Sequence, residues 1–186
     1  MRNFAGHDLR FETERLILRP FADEDFETAV PFYADPEFVA AMEGDPPNAP
    51  VTGDYLRRAA ASMAKQGYYF AVMEKSSGRV IGEACLQWMN LDRAKKPGQA
   101  VMRLPIGIWD STLWGLGYGK EVVQCLMAYA FGTLEIDWFC PVDIKSDNVR
   151  SQALWESCGC RVARRAEGGR YLDYEISRAD YLARTT

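Results

Sequence analysis

Trp114-Gly115-Leu116-Gly117-Tyr118-Gly119-Lys120 is the stretch that decides how this chain reads. Its glycines let the backbone turn through positive φ and bare its N–H groups. Directly behind it, Val122, Val123, Leu126, Met127 and Ala130 recur on one helical stripe. Ahead of it, residues 100–109 read as a strand. A glycine turn that feeds a helix N-terminus offers amides together with about half a positive charge, and suits a phosphate or diphosphate. Spacing excludes the two common phosphate loops. A Walker loop needs glycine five positions before Gly119, where Trp114 stands, and Ser or Thr after Lys120, where Glu121 stands. A dinucleotide fingerprint needs G-x-G-x-x-G, and this turn reads G-x-G-x-G. A plain helix-capping turn is the lesser reading of the loop in isolation.

Working outward, the chain alternates strands and helices. Residues 16–19, closed by Pro20, form a first strand. Asp23 opens a helical stretch through Phe26, Ala29 and Val30, and Asp35-Pro36 opens a second short turn with proline at the first helical position. Residues 43–50, with three prolines, are a loop. Thr52 or Asp54 starts a helix carrying Leu56, Ala59, Ala60 and Met63 on one face. Strands follow at 68–73, 80–89 and 100–109, separated by a Ser76-Ser77-Gly78 turn and a polar loop at 91–99. After the helix behind the glycine turn come a strand at 136–144 and a helix at 149–158 that ends on Gly159, a good residue beyond a helix C-terminus. Strands near 160–164 and 171–177 close the order. It implies an α/β (α+β) domain, a mixed sheet with helices on its faces, rather than a doubly wound fold.

Composition narrows the function. A chain of 186 residues, 48% hydrophobic and 26% charged, fits one globular domain. Its net charge of −4 and the lack of a basic run argue against nucleic-acid binding. No apolar run is long enough for a membrane span, and the start has no apolar core of a signal peptide, so a cytoplasmic location is expected. The five scattered cysteines lack metal-ligand spacing, and His7, the one histidine, lies in the N-terminal lead. That excludes a His-based triad and an HExxH zinc site; no metal is expected.

A second segment carries the reading further. Asp147-Asn148-Val149-Arg150-Ser151-Gln152-Ala153-Leu154-Trp155-Glu156-Ser157-Cys158-Gly159-Cys160 follows the strand after the glycine-turn helix. Together, strand, glycine turn, helix, strand and Asn-x-x-Ser helix resemble the GNAT superfamily of acyl-CoA-dependent N-acyltransferases. The wording of the glycine turn, with the opening Glu12-Thr13-Glu14-Arg15-Leu16-Ile17-Leu18-Arg19-Pro20-Phe21, looks most like the RimJ/RimL-like branch of ribosomal-protein N-terminal acetyltransferases. The resemblance covers residues 11–178, leaving 1–10 as a lead and 179–186 as a tail. It implies a GNAT fold of about seven strands and four helices, splayed between the fourth and fifth strands.

The resemblance also implies roles, residue by residue. The backbone of Ile106, Gly107, Ile108 and Trp109, after the irregularity at Pro105, would bind pantetheine as an added strand. Amides from Leu116 through Gly117, Tyr118 and Gly119 to Lys120 would meet the diphosphate. Trp114 stands where the family's Gln/Arg opens the turn, and Gly115 follows it. Asn148 matches the family's pantetheine-binding asparagine, with a helix cap as its other reading. The cosubstrate would be acetyl-CoA and the reaction direct attack of an amine on the thioester, which requires a proton acceptor. Asp143 at a strand end and Glu83 inside the apolar run Val80–Cys85 are the candidate bases. Trp155 occupies the place of the family's proton-donating tyrosine, and indole is no acid. Ser151 is the substitute donor, and Trp155 packs on the pantetheine arm. The acceptor pocket would draw on Phe32, Tyr33, Phe38, Met42, Glu43, Asp45, Tyr55, Trp88 and Tyr171. A protein N-terminal α-amine, an aminoglycoside or a polyamine all remain open as acceptor, as do a homodimer and a non-catalytic CoA-binding module.

Overall fold

The computed structural model describes residues 6–42 and 49–185. Glu43 and Asp45, expected in the acceptor pocket, lie outside the described residues. The elements run β1 (Phe11–Glu12), β2 (Leu16–Pro20), α1 (Asp23–Ala29), α2 (Pro36–Ala41), α3 (Gly53–Met63), β3 (Gly67–Glu74) and β4 (Val80–Trp88). They continue with β5 (Val101–Arg103), β6 (Ile106–Ile108), α4 (Tyr118–Gly132), β7 (Trp138–Phe139), β8 (Ile144–Lys145), α5 (Val149–Ser157), β9 (Arg161–Ala166), β10 (Tyr171–Ser177) and α6 (Arg178–Thr185).

Short polar side chains start the helices by satisfying their orphan N–H groups. Asp35 accepts from the amides of Glu37 and Phe38 to start α2. Thr52, rather than Asp54, caps α3 through the Tyr55 amide. Asn148 caps α5 through the Ser151 amide. The helix α4 has no side-chain cap; Gly117, in a left-handed conformation at φ 86°, makes the turn into it.

The sheet runs β1-β2-β3-β4-β5-β7-β10-β8, with β6 pairing with β4 and β9 with β10. All pairs are antiparallel except β5 with β7. The two-residue alternation of β3 sorts its side chains between two cores. Phe70 and Val72 join the face covered by α4, with Leu126 and Phe131. Tyr69 and Ala71 join the face covered by α1, α2 and α3, with Phe26, Phe38 and Leu56.

Two expected strands are each broken in the middle, and the breaks make the site. The strand expected at 100–109 is interrupted at Leu104-Pro105 into β5 and β6. The strand expected at 136–144 is interrupted around Pro141 into β7 and β8. Proline has no N–H to give to a ladder, so neither pairing continues through it. Before the breaks, β5 and β7 pair in register, Val101 with Trp138 and Met102 with Phe139. Beyond them, β6 holds only β4, and the sheet opens. The splay therefore lies where the family resemblance put it. Among the described residues, ten strand segments and six α-helices outnumber the expected seven and four, partly because of these breaks.

The segment expected as a C-terminal tail is helical as α6, and Tyr181 stacks on Phe131 at 4.5 Å. His7 of the expected lead docks its Nε2 3.2 Å from the Tyr69 carbonyl oxygen. Among the described residues, no helix is long and apolar enough to cross a membrane.

Gly82 of β4 is the position where side-chain bulk is least tolerated near the opening. A Cβ there would stand 2.3 Å from the backbone oxygen of Gly107 on β6. Gly82→Ala is expected to cost about 1–3 kcal/mol, typical of overpacking. A thermal melt should show Tm falling by several degrees, with acetyl-CoA affinity weakened because β6 is displaced.

Candidate active site

A cleft of about 780 Å³ occupies the opening. Its walls come from β4, β6, the glycine turn and α5, and its roof from α2 and α3.

Hydrogen-bond register decides which groups β6 can offer. Pro105 accepts from the Cys85 amide at 2.9 Å, and the Trp109 amide donates to Ile81 at 2.9 Å. Backbone groups of an antiparallel strand alternate sides, so Gly107 between them also faces β4. The Gly107 backbone and the Trp109 N–H are thus turned to the sheet, against their expected part in cofactor binding through the backbone. Ile106 and Ile108 turn their N–H and C=O groups away from β4, toward the opening. The Ile108 carbonyl already accepts from Trp114 Nε1 at 2.7 Å.

The glycine turn forms the next wall. Gly115 and Gly117 take φ of 78° and 86°, values that residues with a Cβ rarely adopt. Among the described residues, no acceptor takes the N–H groups from Leu116 to Lys120. Behind the turn, Arg15 fixes it in place. Its Nη1 donates to the Leu116 carbonyl at 2.9 Å, its Nε to Glu121 at 2.7 Å, and its guanidinium lies 4.4 Å over the Tyr118 ring. Glu121 would repel a diphosphate if it faced forward, and this network turns it backward. Desolvation favours its protonated form, but donation from Thr13 and from the Arg15 amide and guanidinium prevails and holds the carboxyl below its ordinary range. Tyr118 in turn donates to Glu74. Lys120 and Arg150 both line the cleft, and neither has a carboxylate within 4 Å among the described residues. Arg150 lies 4.1 Å over the Trp114 ring.

At the other end, Glu83 is the one carboxylate among the described residues that lines the cleft. Tyr33 donates to its Oε1 at 2.5 Å and Tyr69 to its Oε2 at 2.7 Å. Burial pushes its pKa up; the two phenols oppose that shift, and the net result lies above the ordinary carboxylate value. The indole N–H of buried Trp109 lies beside Glu83 and adds a little to that opposition. Burial, then the adjacent Glu83 charge, raises both tyrosines far above 10, so they remain donors.

The other expected site residues divide. Ser151 lines the cleft, and Trp155 lies beneath it, buried, with its Nε1 unpartnered. Asn148 is there too, but its side chain is engaged at both ends. Its Oδ1 accepts from the Ser151 amide at 3.0 Å and its Nδ2 donates to Ala41 at 3.2 Å. Lys145 donates to Ala40 at 3.0 Å, so the end of α2 is tied across to the α5 side of the cleft. Asp143 is not brought to the cleft: it pairs with Arg93 at 2.5 Å, and Arg93 also holds Asp173 at 3.1 Å. Of the expected acceptor residues, Tyr33, Phe38, Met42 and Tyr55 line the cleft. Phe32 stacks behind on Trp109 at 5.8 Å, and Trp88 and Tyr171 lie elsewhere. Sequence reading passed over Tyr69, Arg103, Arg150 and Arg15. Arg103 had a visible signal, a lone charge in an apolar strand; the other three had none without the fold. No group of three potential metal ligands occurs among the described residues.

Residues 15–161 match the acetyltransferase (GNAT) domain family. The chain belongs to the GNAT acetyltransferase family. It is accordingly an acetyl-CoA-dependent acetyltransferase, and the opened sheet edge and bare glycine-turn amides fit that cosubstrate. The uncharacterized N-acetyltransferase p20 of Bacillus licheniformis is 27% identical over 127 residues, covering 67% of each chain. The fold is similar to a GNAT acetyltransferase from Bacillus anthracis, at 17% identity and TM-score 0.72, covering 92% of this chain and 99% of that one. It is also similar to a ribosomal-protein-S5-alanine acetyltransferase from Vibrio fischeri, at 16% identity and TM-score 0.72, covering 94% and 99%.

Arg15→Met should loosen the glycine turn from behind. The KM for acetyl-CoA is expected to rise about tenfold, equivalent to roughly 1.4 kcal/mol. The KM for S-acetylpantetheine, which lacks the diphosphate, should stay unchanged in the same thiol-release assay.

Proposed function

We propose that the enzyme transfers acetyl directly from acetyl-CoA to a primary amine, with both substrates bound and Glu83 as the proton acceptor. The observation that carries this reading is the position of Glu83: a carboxylate of raised pKa facing the same cleft as the unpaired backbone of β6. The donor end of that cleft is cationic, with Lys120 and Arg150 beside the bare amides. The opposite end holds one carboxylate among Tyr33, Tyr55, Tyr69 and Phe38. A polyanionic donor and a cationic acceptor are thereby drawn to opposite ends.

In this reading the amides of the glycine turn hold the diphosphate, and the backbone of Ile106 and the Ile108 N–H hold pantetheine. Acetyl-CoA supplies the acyl group as a thioester. Glu83 takes the proton that an ammonium must lose before its nitrogen attacks, a task suited to a carboxyl held above its ordinary range. The Ile106 amide, just past the break at Pro105, is the donor available to the developing oxyanion. Ser151, whose hydroxyl has no partner among the described residues, gives a proton to the departing thiolate. Asp143, paired with Arg93 away from the cleft, has a structural part in place of the catalytic one. Asn148 supports the site by capping α5 and tying α2.

A single ammonium fits the acceptor end better than a polyamine or aminoglycoside, since among the described residues only Glu83 supplies negative charge there. A protein N-terminal α-amine is the second reading. It is favoured by the opening motif of the chain and by the likeness to a ribosomal-protein-S5-alanine acetyltransferase.

Glu83→Gln should lower kcat by about 10²–10⁴, the usual contribution of a general base, with little change in acetyl-CoA affinity. The wild-type rate should fall as pH drops through the raised pKa of Glu83, because protonation removes the acceptor. Glu83→Gln should lose that limb of the pH profile. An unchanged profile would assign the limb to another group.

A further inference from the structure

Arg103 is a charge that the acyl-transfer chemistry leaves unused. It ends β5 directly opposite Gln87 of β4, on the sheet face that also carries Glu83 and Cys85. Gln87 is buried, and its Oε1 accepts from Arg103 Nε at 2.8 Å. That bond aims the rest of the guanidinium, which lines the cleft. No carboxylate among the described residues lies within ion-pair distance of it. Half-burying a cation against apolar and aromatic walls is costly unless an anion meets it. Arginine in particular presents a fork that matches a carboxylate or phosphonate.

The donor's phosphates do not serve as that anion. The strand runs from Arg103 through Pro105 to Ile108 and only then into the glycine turn, so Arg103 lies on the far side of the break from the diphosphate amides. Glu83 and Arg103 instead flank Cys85, whose thiol feels both charges: burial raises its pKa to about 12, the Glu83 charge adds to that, and Gln87 and Arg103 oppose it. Positions 83 and 87 are four residues apart on β4, roughly 13 Å between Cα atoms, shortened by the reach of two side chains that lie on one face. One wall of the acceptor end thus carries an acid and a base within the span of a small molecule.

The geometry points to an acceptor that carries its own anion: a small amino acid or amino-acid-like compound whose amine meets Glu83 and whose carboxylate, or equivalent acidic group, meets Arg103. This rests on the transfer reading above and narrows it. Gln87 acts as a positioning residue that holds the fork in place. The tyrosines and Phe38 take the apolar part of the acceptor, and the cation at Arg103 repels polyamines and aminoglycosides.

The test is a thiol-release assay at saturating acetyl-CoA on matched acceptors: alanine against ethylamine, phenylalanine against phenethylamine, 4-aminobutyrate against propylamine. Wild type should prefer the anionic member of at least one pair by tenfold or more in kcat/KM. Arg103→Gln should raise KM for that acceptor about ten- to a hundredfold, as expected for a lost charge-assisted bond. It should leave its uncharged-tail partner and the KM for acetyl-CoA unchanged, and Arg103→Lys should recover part of the loss. Equal use of both members by wild type would overturn the assignment. So would an Arg103→Gln that lowers both equally, or Arg103→Lys and Arg103→Gln variants that melt early and fail on every acceptor alike, since that is the behaviour of a structural arginine. Thermal stabilisation by acetyl-CoA with no thiol released to any amine would instead bring down the transfer reading itself.

Discussion

Everything in this molecule that bears on chemistry depends on one unmade strand pairing. Backbone N–H and C=O groups inside a protein are almost always paired, because leaving them unpaired and dry is costly. Here the parallel pair of β5 and β7 begins normally and then stops, since Pro105 and Pro141 cannot donate to a ladder. The Ile106 backbone groups and the Ile108 N–H beyond the break are left facing an opening instead of a neighbour. A ligand that behaves as a strand satisfies them, and the long pantetheine arm of acetyl-CoA is such a ligand. In the proposed reading, the defect in the sheet is the binding site.

Around that opening the charges are sorted by how each side chain is held. Arg15 and Glu121 cancel each other behind the glycine turn, so neither interferes with what the turn presents in front. Lys120 and Arg150 face the cleft without a carboxylate of their own among the described residues, and make its outer end electropositive. Glu83 sits at the inner end with two phenols as donors, in a setting that raises its pKa and keeps it oriented. Asp143, the other candidate acid, differs in being satisfied by Arg93. The contrast between the two acids illustrates that reactivity follows from environment rather than from residue type.

Much of this was legible in the chain itself. The glycine turn, the helical stripe behind it and the order of strands and helices follow from local chemistry: glycine's tolerance of positive φ, the two- and 3.6-residue periodicities, and the capping residues Asp35, Thr52 and Asn148. Pro105 was visible as an irregularity for the same reason, since its missing N–H is a local fact. The strand at 136–144 was read as continuous despite Pro141, because an apolar run hides a break that shows only when its neighbour is known. The helix after residue 178 was missed because its support comes from a ring far away in sequence, Phe131 against Tyr181.

The sequence alone thus determined most of the elements and their order, consequences of a few neighbouring residues, while the place where the sheet opens came with the family resemblance and the irregularity at Pro105. The tertiary structure alone decided which groups face that opening. Strand register turns the Gly107 backbone and the Trp109 N–H to the sheet and frees the Ile106 backbone and the Ile108 N–H. A contact across 50 residues withdraws Asp143 to Arg93, another of the same separation brings Tyr33 to Glu83, and one across 106 turns Glu121 away from the diphosphate turn. Side-chain direction and pairing over such distances are set by packing and register, which no local pattern encodes.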